Sequence, residues 1–104
     1  HDMGFRDIAL ADDGSTALAM LRQGSFGLLV TDWHMPQMDG IDLVRAVRAD
    51  PRLNAIPILM VSTEATREQI IEAVRAGVNG YVVKPFTPQI LRAKIGKLFQ
   101  PPAR

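Results

Sequence analysis

The chain has 104 residues, which is room for one domain around one hydrophobic core. With 47% apolar and 22% charged residues it is not a disordered polar chain, and a formal charge of +1 leaves no field of one sign to gather nucleic acid or an anionic membrane. Cysteine is absent and no apolar run reaches bilayer-spanning length; disulfides and thiolate metal sites are excluded, and a cytoplasmic protein without nucleic-acid or membrane partners is expected.

Four short apolar runs alternate with segments of helical period, the pattern of strand–helix units on a parallel sheet. Residues 7–11 read as a first strand. Residues 14–22 read as a helix, with Ala17, Leu18 and Leu21 at helical spacing and a stop at Gln23-Gly24. Residues 26–32 hold the run Leu28-Leu29-Val30, expected of a strand covered on both faces, and end on the carboxylate of Asp32. A loop closed by Asp39-Gly40 leads to a helix over 41–49, with Leu43, Val44 and Val47 on one face and Pro51 barring continuation.

Pro57 precedes a third strand over 58–61, which ends at Ser62 and Thr63. Thr66 and Gln69 have the spacing of a capping box, so a helix starts there and runs to about residue 76, with Gly77 as its stop. Residues 81–83 form the fourth strand. Thr87 is the expected N-cap and Pro88 the first residue of a last helix that buries Ile90, Leu91, Ile95 and Leu98 and ends at Pro101-Pro102. Trp33, Met35, Met38 and Met60 read as packing or loop residues, Trp33 as a half-exposed loop aromatic. No linker or low-complexity segment divides the chain.

In an open parallel sheet, functional groups gather beyond the carboxyl ends of the strands. Three such ends here carry Asp32, the Ser62-Thr63 pair and Lys84. A carboxylate can attack phosphorus to give an aspartyl phosphate, while a hydroxyl and an ammonium hydrogen-bond and neutralise phosphoryl oxygens, so the set suits phosphoryl transfer. A divalent ion normally completes such a charge balance.

The segments Thr31-Asp32-Trp33-His34-Met35-Pro36, Met38-Asp39-Gly40, Met60-Val61-Ser62-Thr63-Glu64-Ala65 and Gly80-Tyr81-Val82-Val83-Lys84-Pro85-Phe86 together resemble the receiver domain of response regulators, in its single-domain chemotaxis form. The resemblance runs through nearly all of the chain. It implies a flavodoxin-like, doubly wound α/β fold with strand order 2-1-3-4-5, and a cis Lys84-Pro85 bond. It implies Asp32 as phosphoacceptor, Ser62 as switch hydroxyl, Lys84 as ion-pair partner of the phosphoryl group and Tyr81 as aromatic switch. Mg2+ would be bound by Asp32 and the backbone carbonyl of His34, with Glu64 and Ala65 on the loop beside the site. Partners would be a histidine kinase and a target such as the flagellar motor switch, the target reading Ala65, Arg67, Ile70, Tyr81 and Val83. The chemistry would be self-phosphotransfer and autodephosphorylation, not that of an enzyme.

One departure bears on all of this. The family begins with a central strand, an acidic metal-binding pair and a helix, and His1-Asp2-Met3-Gly4-Phe5 reads like the end of that helix. Asp12-Asp13-Gly14 matches the family's motif after its second strand and not the metal pair. The domain over residues 1–104 is therefore expected to be N-terminally incomplete. Strands flanking the missing one should lose their ladder partner unless more residues or a strand-exchanged second chain supply it. The alternative function is a degenerate receiver that binds partners without phosphorylation. A hydrolase of the haloacid dehalogenase type fits worse, since it needs a second Asp where His34 stands.

Overall fold

The computed structural model describes residues 8–24 and 26–98. Strand β1 (Ile8–Ala11) is followed by α1 (Gly14–Gln23), β2 (Leu28–Asp32), α2 (Gly40–Ala49), β3 (Ile58–Ser62), α3 (Arg67–Ala76), β4 (Gly80–Val83) and α4 (Pro88–Leu98). The expected alternation is present, with ends shifted by one or two residues. Asp7, residues 1–5 and Pro101-Pro102, which carried expectations of their own, lie outside the described residues.

The four strands are parallel, in the order β1-β2-β3-β4. This is the flavodoxin-like order with its first strand set aside. The gap expected beside that strand is not there: β1 pairs directly with β2, in the register Ile8↔Leu28 to Ala11↔Thr31. Each backbone N–H needs an acceptor in the core, and closing the ladder satisfies the inner edges of both strands. The expected strand exchange therefore has no gap to fill among the described residues.

Because successive strand residues point to opposite faces, each strand feeds two cores. Ala9, Ala11, Leu29, Ile58 and Met60 join the buried faces of α1, α2 and α3 in one cluster. Leu28, Leu59 and Val82 meet Ile95 of α4 in a second, with Leu91 and Leu98 half-buried against it. Leu91, Ile95 and Leu98 share one helical stripe, and Ile90 falls beside it. Ile90 is thus 47% exposed, against the expectation that it would be buried. Trp33 is a second correction, packed in the larger cluster and only 8% exposed.

Local chemistry sets the helix ends. Asp13 caps α1 by accepting from the backbone N–H groups of Ser15 and Thr16. Asp39 caps α2 through Asp42 N–H. Thr66 and Gln69 form the full capping box of α3, and Gly77 ends that helix at φ 118°, a left-handed conformation that favours glycine. Thr87 Oγ1 accepts from Ile90 N–H at the start of α4. Arg48 ties two loops to α2: its guanidinium donates to the carbonyl oxygens of Asn54 and Ile56 before β3, and to Gly77 O and Asn79 Oδ1 before β4, at 2.7–3.0 Å.

Candidate functional site

Asp32, Ser62 and Lys84 reach one place because β2, β3 and β4 are neighbours in register. Asp32 ends β2 opposite Val61 of β3, and Ser62 ends β3 opposite Val83 of β4, one residue before Lys84. The Lys84 backbone N–H donates to the Ser62 carbonyl at 2.8 Å, which fixes the chain as it leaves β4. The Lys84-Pro85 bond is cis.

Lys84 Nζ donates to Asp32 Oδ2 in a direct ion pair, and both side chains are about one-third exposed. The His34 backbone N–H lies 3.4 Å from Asp32 Oδ1. The carboxylate is thus oriented by the loop on one side and by a cation on the other, yet remains open to an incoming group. Ser62 is fully buried and its Oγ accepts from Glu64 N–H at 3.1 Å, so the hydroxyl belongs to the turn as well as to the strand end. Thr63 is exposed.

Two close approaches hold Asp32 where it is. Gly40 opens α2 with its backbone N–H donating to Trp33 O at 2.6 Å, and a Cβ at this position would lie 2.1 Å from Asp32 O. Only glycine lets the helix start press this close to the strand end. From within the sheet, buried Thr31 donates its hydroxyl to the same carbonyl at 2.9 Å.

Glu64 is a hub that sequence reasoning placed on the loop without a role. Its Oε1 accepts from Gln69 Nε2 at 2.6 Å and lies 3.3 Å from His34 Nε2, while its carbonyl accepts from Tyr81 Oη at 2.7 Å. The hydrogen bond from Gln69, and then that from His34, hold its carboxyl below the ordinary carboxylate range. Since Gln69 is the capping-box residue of α3, this chain of bonds joins the loop after Asp32, the start of α3 and Tyr81. The Thr66/Gln69 spacing was the one signal in the sequence that pointed here.

The surface expected to meet a target lies beside this hub. Ala65 and Arg67 are exposed, Ile70 and Tyr81 half-buried, and Val83 43% exposed. For magnesium, the described residues bring a carboxylate at Asp32 and the main chain of His34, whose side chain turns to Glu64. Among the described residues, no group of three His, Cys, Asp or Glu could hold a metal ion, and Asp13 spends its carboxylate on the α1 cap. These residues by themselves do not fit a magnesium site, which draws on more oxygen ligands than one side chain and one carbonyl. No described helix is long and apolar enough to cross a membrane.

Comparison with known proteins agrees with the geometry. The response regulator receiver domain family matches residues 1–96. The chain is 66% identical over 100 residues to the chemotaxis protein CheY of Pseudomonas aeruginosa, covering 96% of this chain and 81% of that protein. It is 57% identical over 100 residues to chemotaxis protein CheY-3 of Vibrio cholerae, covering 96% and 77%. Among solved structures, Vibrio cholerae CheY4 superposes with a TM-score of 0.80 at 36% identity, over 86% of this chain and 74% of that one. A putative response regulator from Chloroflexus aurantiacus superposes with a TM-score of 0.79 at 32% identity, over 85% and 72%.

Proposed function

This chain belongs to the response regulator receiver domain family, and from that premise we propose that it is the phosphoacceptor of a chemotaxis-like two-component relay, with Asp32 taking the phosphoryl group from a phosphohistidine of a histidine kinase. The observation that carries the reading is the open Asp32–Lys84 ion pair, formed across the end of β3 from the ends of β2 and β4, with Ser62 at the strand end between them.

The chemistry follows from what these groups can do. An oxygen of the ionised Asp32 carboxylate attacks phosphorus; the new O–P bond forms as the P–N bond of the donor breaks, and the electron pair leaves on the imidazole nitrogen, which takes up a proton. Lys84, already held at Asp32 Oδ2, then faces the phosphoryl oxygens and offsets their charge. Ser62 Oγ can exchange its bond from Glu64 N–H for one donated to a phosphoryl oxygen. That exchange loosens the loop on which Glu64 stands, and with it the acceptor of the Tyr81 hydroxyl. The surface of Ala65, Arg67, Ile70, Tyr81 and Val83 is where a target reads the change, by a shift between two populations. Relatives named for chemotaxis support a flagellar motor switch as that target and the cytoplasm as the place of action. The cycle is self-phosphotransfer followed by loss of phosphate, without turnover of an external substrate.

One observation favours a second reading. The described residues bring no acidic cluster to Asp32, which suits a module that binds its partners unphosphorylated. Intact-protein mass after incubation with acetyl phosphate and magnesium separates the two. The relay reading expects a gain of one phosphoryl group that disappears in Asp32→Asn and is greatly slowed in Lys84→Ala. A folded protein that gains nothing refutes it, as does a gain that survives Asp32→Asn.

A further inference from the structure

Cysteine is absent and five methionines carry all the sulfur of this chain, so a two-electron oxidant that reaches the protein finds its softest nucleophile in a thioether. The described methionines are not equivalent. Met20 stands on the surface of α1 at 37% exposure, and Met60 is fully buried. Met38 is half-buried and pressed on the start of α1, where a Cβ at Gly14 would lie 2.8 Å from its Cγ. Met35 is half-buried on the loop after β2, and its sulfur faces a polar group: Thr31 Oγ1 lies 3.7 Å from Met35 Sδ.

Thr31 links that sulfur to the phosphoacceptor. Its side chain is buried, and its single hydroxyl proton serves Asp32 O at 2.9 Å, with Met35 Sδ the weaker second acceptor. We propose that Met35 is an oxidation site that controls the acceptor: its sulfoxide draws the Thr31 hydroxyl away from the Asp32 carbonyl and unfastens the end of β2, an inference that rests on the phosphoacceptor reading. The oxidant is hydrogen peroxide. A lone pair of the sulfur attacks one peroxide oxygen, and the S–O bond forms as the O–O bond breaks. The departing oxygen takes up the proton of the transferred one and leaves as water; the sulfur is oxidised by two electrons and the peroxide reduced by the same two. The product replaces a weakly accepting sulfur with a polar oxygen that accepts strongly and bridges part of the gap to Thr31. Asp32 O then lacks its buried donor, and the carboxylate held by Lys84 moves with the strand end.

The test treats the intact chain with hydrogen peroxide, locates each added oxygen by mass spectrometry of its peptides, and verifies the fold by far-UV circular dichroism. Two signals are followed: the emission of Trp33, the single tryptophan of the chain and buried beside this loop, and the rate of phosphorylation by acetyl phosphate with magnesium. Expected are oxygen addition at Met35 ahead of Met38 and Met60, and a shift in Trp33 emission that follows the occupancy of Met35. The rate falls by about tenfold or more, since displacing a nucleophile by about 1 Å costs on the order of 100-fold. Both signals stay at their untreated values in peroxide-treated Met35→Leu, a volume-conserving exchange, and both return in the parent once methionine sulfoxide reductase has acted. In Thr31→Val, which has no hydroxyl to lose, oxidation of Met35 slows phosphorylation far less. A Met35 left unoxidised while Met20 is fully converted overturns the proposal. So does a phosphorylation rate unchanged at full Met35 conversion, a peroxide-treated Met35→Leu that changes as the parent does, or a slowing in Thr31→Val as large as the parent's. Untreated protein that gains no phosphoryl group refutes the phosphoacceptor reading instead, and the Trp33 emission of parent and Met35→Leu then decides whether Met35 oxidation reaches the end of β2.

Discussion

Replacing Gly40 by alanine probes whether the acceptor is held by backbone contact. The added Cβ would stand 2.1 Å from Asp32 O, 3.0 Å from Asp32 C and 3.0 Å from the terminal methyl of Met60. A carbon–oxygen contact needs roughly 1 Å more than that, and the obstructing atom is main chain, so the start of α2 or the end of β2 must move. Forcing an extra carbon into a packed site costs about 1–3 kcal/mol, and the better helical entropy of alanine returns about 0.5–1 kcal/mol; the net loss is up to about 2.5 kcal/mol. Function should suffer more than stability. A nucleophile displaced by about 1 Å from its productive position loses on the order of 100-fold in rate. Urea denaturation followed by circular dichroism reads the first quantity, and the rate of mass gain with acetyl phosphate reads the second, under conditions where the variant is fully folded. A Gly40→Ala protein with both the stability and the phosphorylation rate of the parent refutes the reasoning.

Three further outcomes follow from the packing. Arg48→Ala removes five hydrogen bonds and strands the part-buried carbonyls of Ile56 and Gly77; the expected loss is about 2–4 kcal/mol in urea denaturation, and a loss below about 0.5 kcal/mol would remove the two-loop tie from the account. Gly96→Ala adds a Cβ that meets nothing within 4 Å. It should stabilise α4 by about 0.5–1 kcal/mol, raising the melting temperature by roughly 4 °C without changing phosphorylation; an unchanged or lower melting temperature counts against an unstrained helical site there. Asp50 caps the end of α2, and bonds from the Arg52 backbone N–H and then from Arg22 hold its carboxyl below the ordinary value. Its contribution is complete above the unfolded-state pKa and is lost as pH falls through the lowered folded value. Asp50→Asn should therefore shrink the stability difference between neutral and strongly acid pH, and denaturation midpoints from pH 2 to 6 that run parallel for the two proteins would contradict this.

Much of the architecture could be read from the chain because it is written in local signals. The Leu28-Leu29-Val30 run needs two covered faces, Thr66 and Gln69 need each other at the start of α3, and Gly77 needs its left-handed conformation. These are short-range demands that few other structures meet. Asp32, Ser62 and Lys84 were legible for a related reason, since each stands where an apolar run ends, and parallel pairing carries all such ends to one edge of the sheet.

What only the folded chain decided depends on distances between segments remote in sequence. Ile90 had the right residue type for burial but sits beside the stripe that α4 turns to the sheet, while Trp33, read as a loop residue, fills the larger core. Glu64 became a hub because the turn after β3 brings His34, Gln69 and Tyr81 within reach at once, and Arg48 a clamp because the loops before β3 and β4 meet around one guanidinium. The direct pairing of β1 with β2 was of the same kind. The sequence by itself determined which segments are strands and helices and which side chains carry the chemistry, because periodicity and capping act over a few residues. Strand partners and loop contacts were left to the tertiary structure, because they are selected by the joint requirement that every buried polar group find a partner and every apolar face a cover.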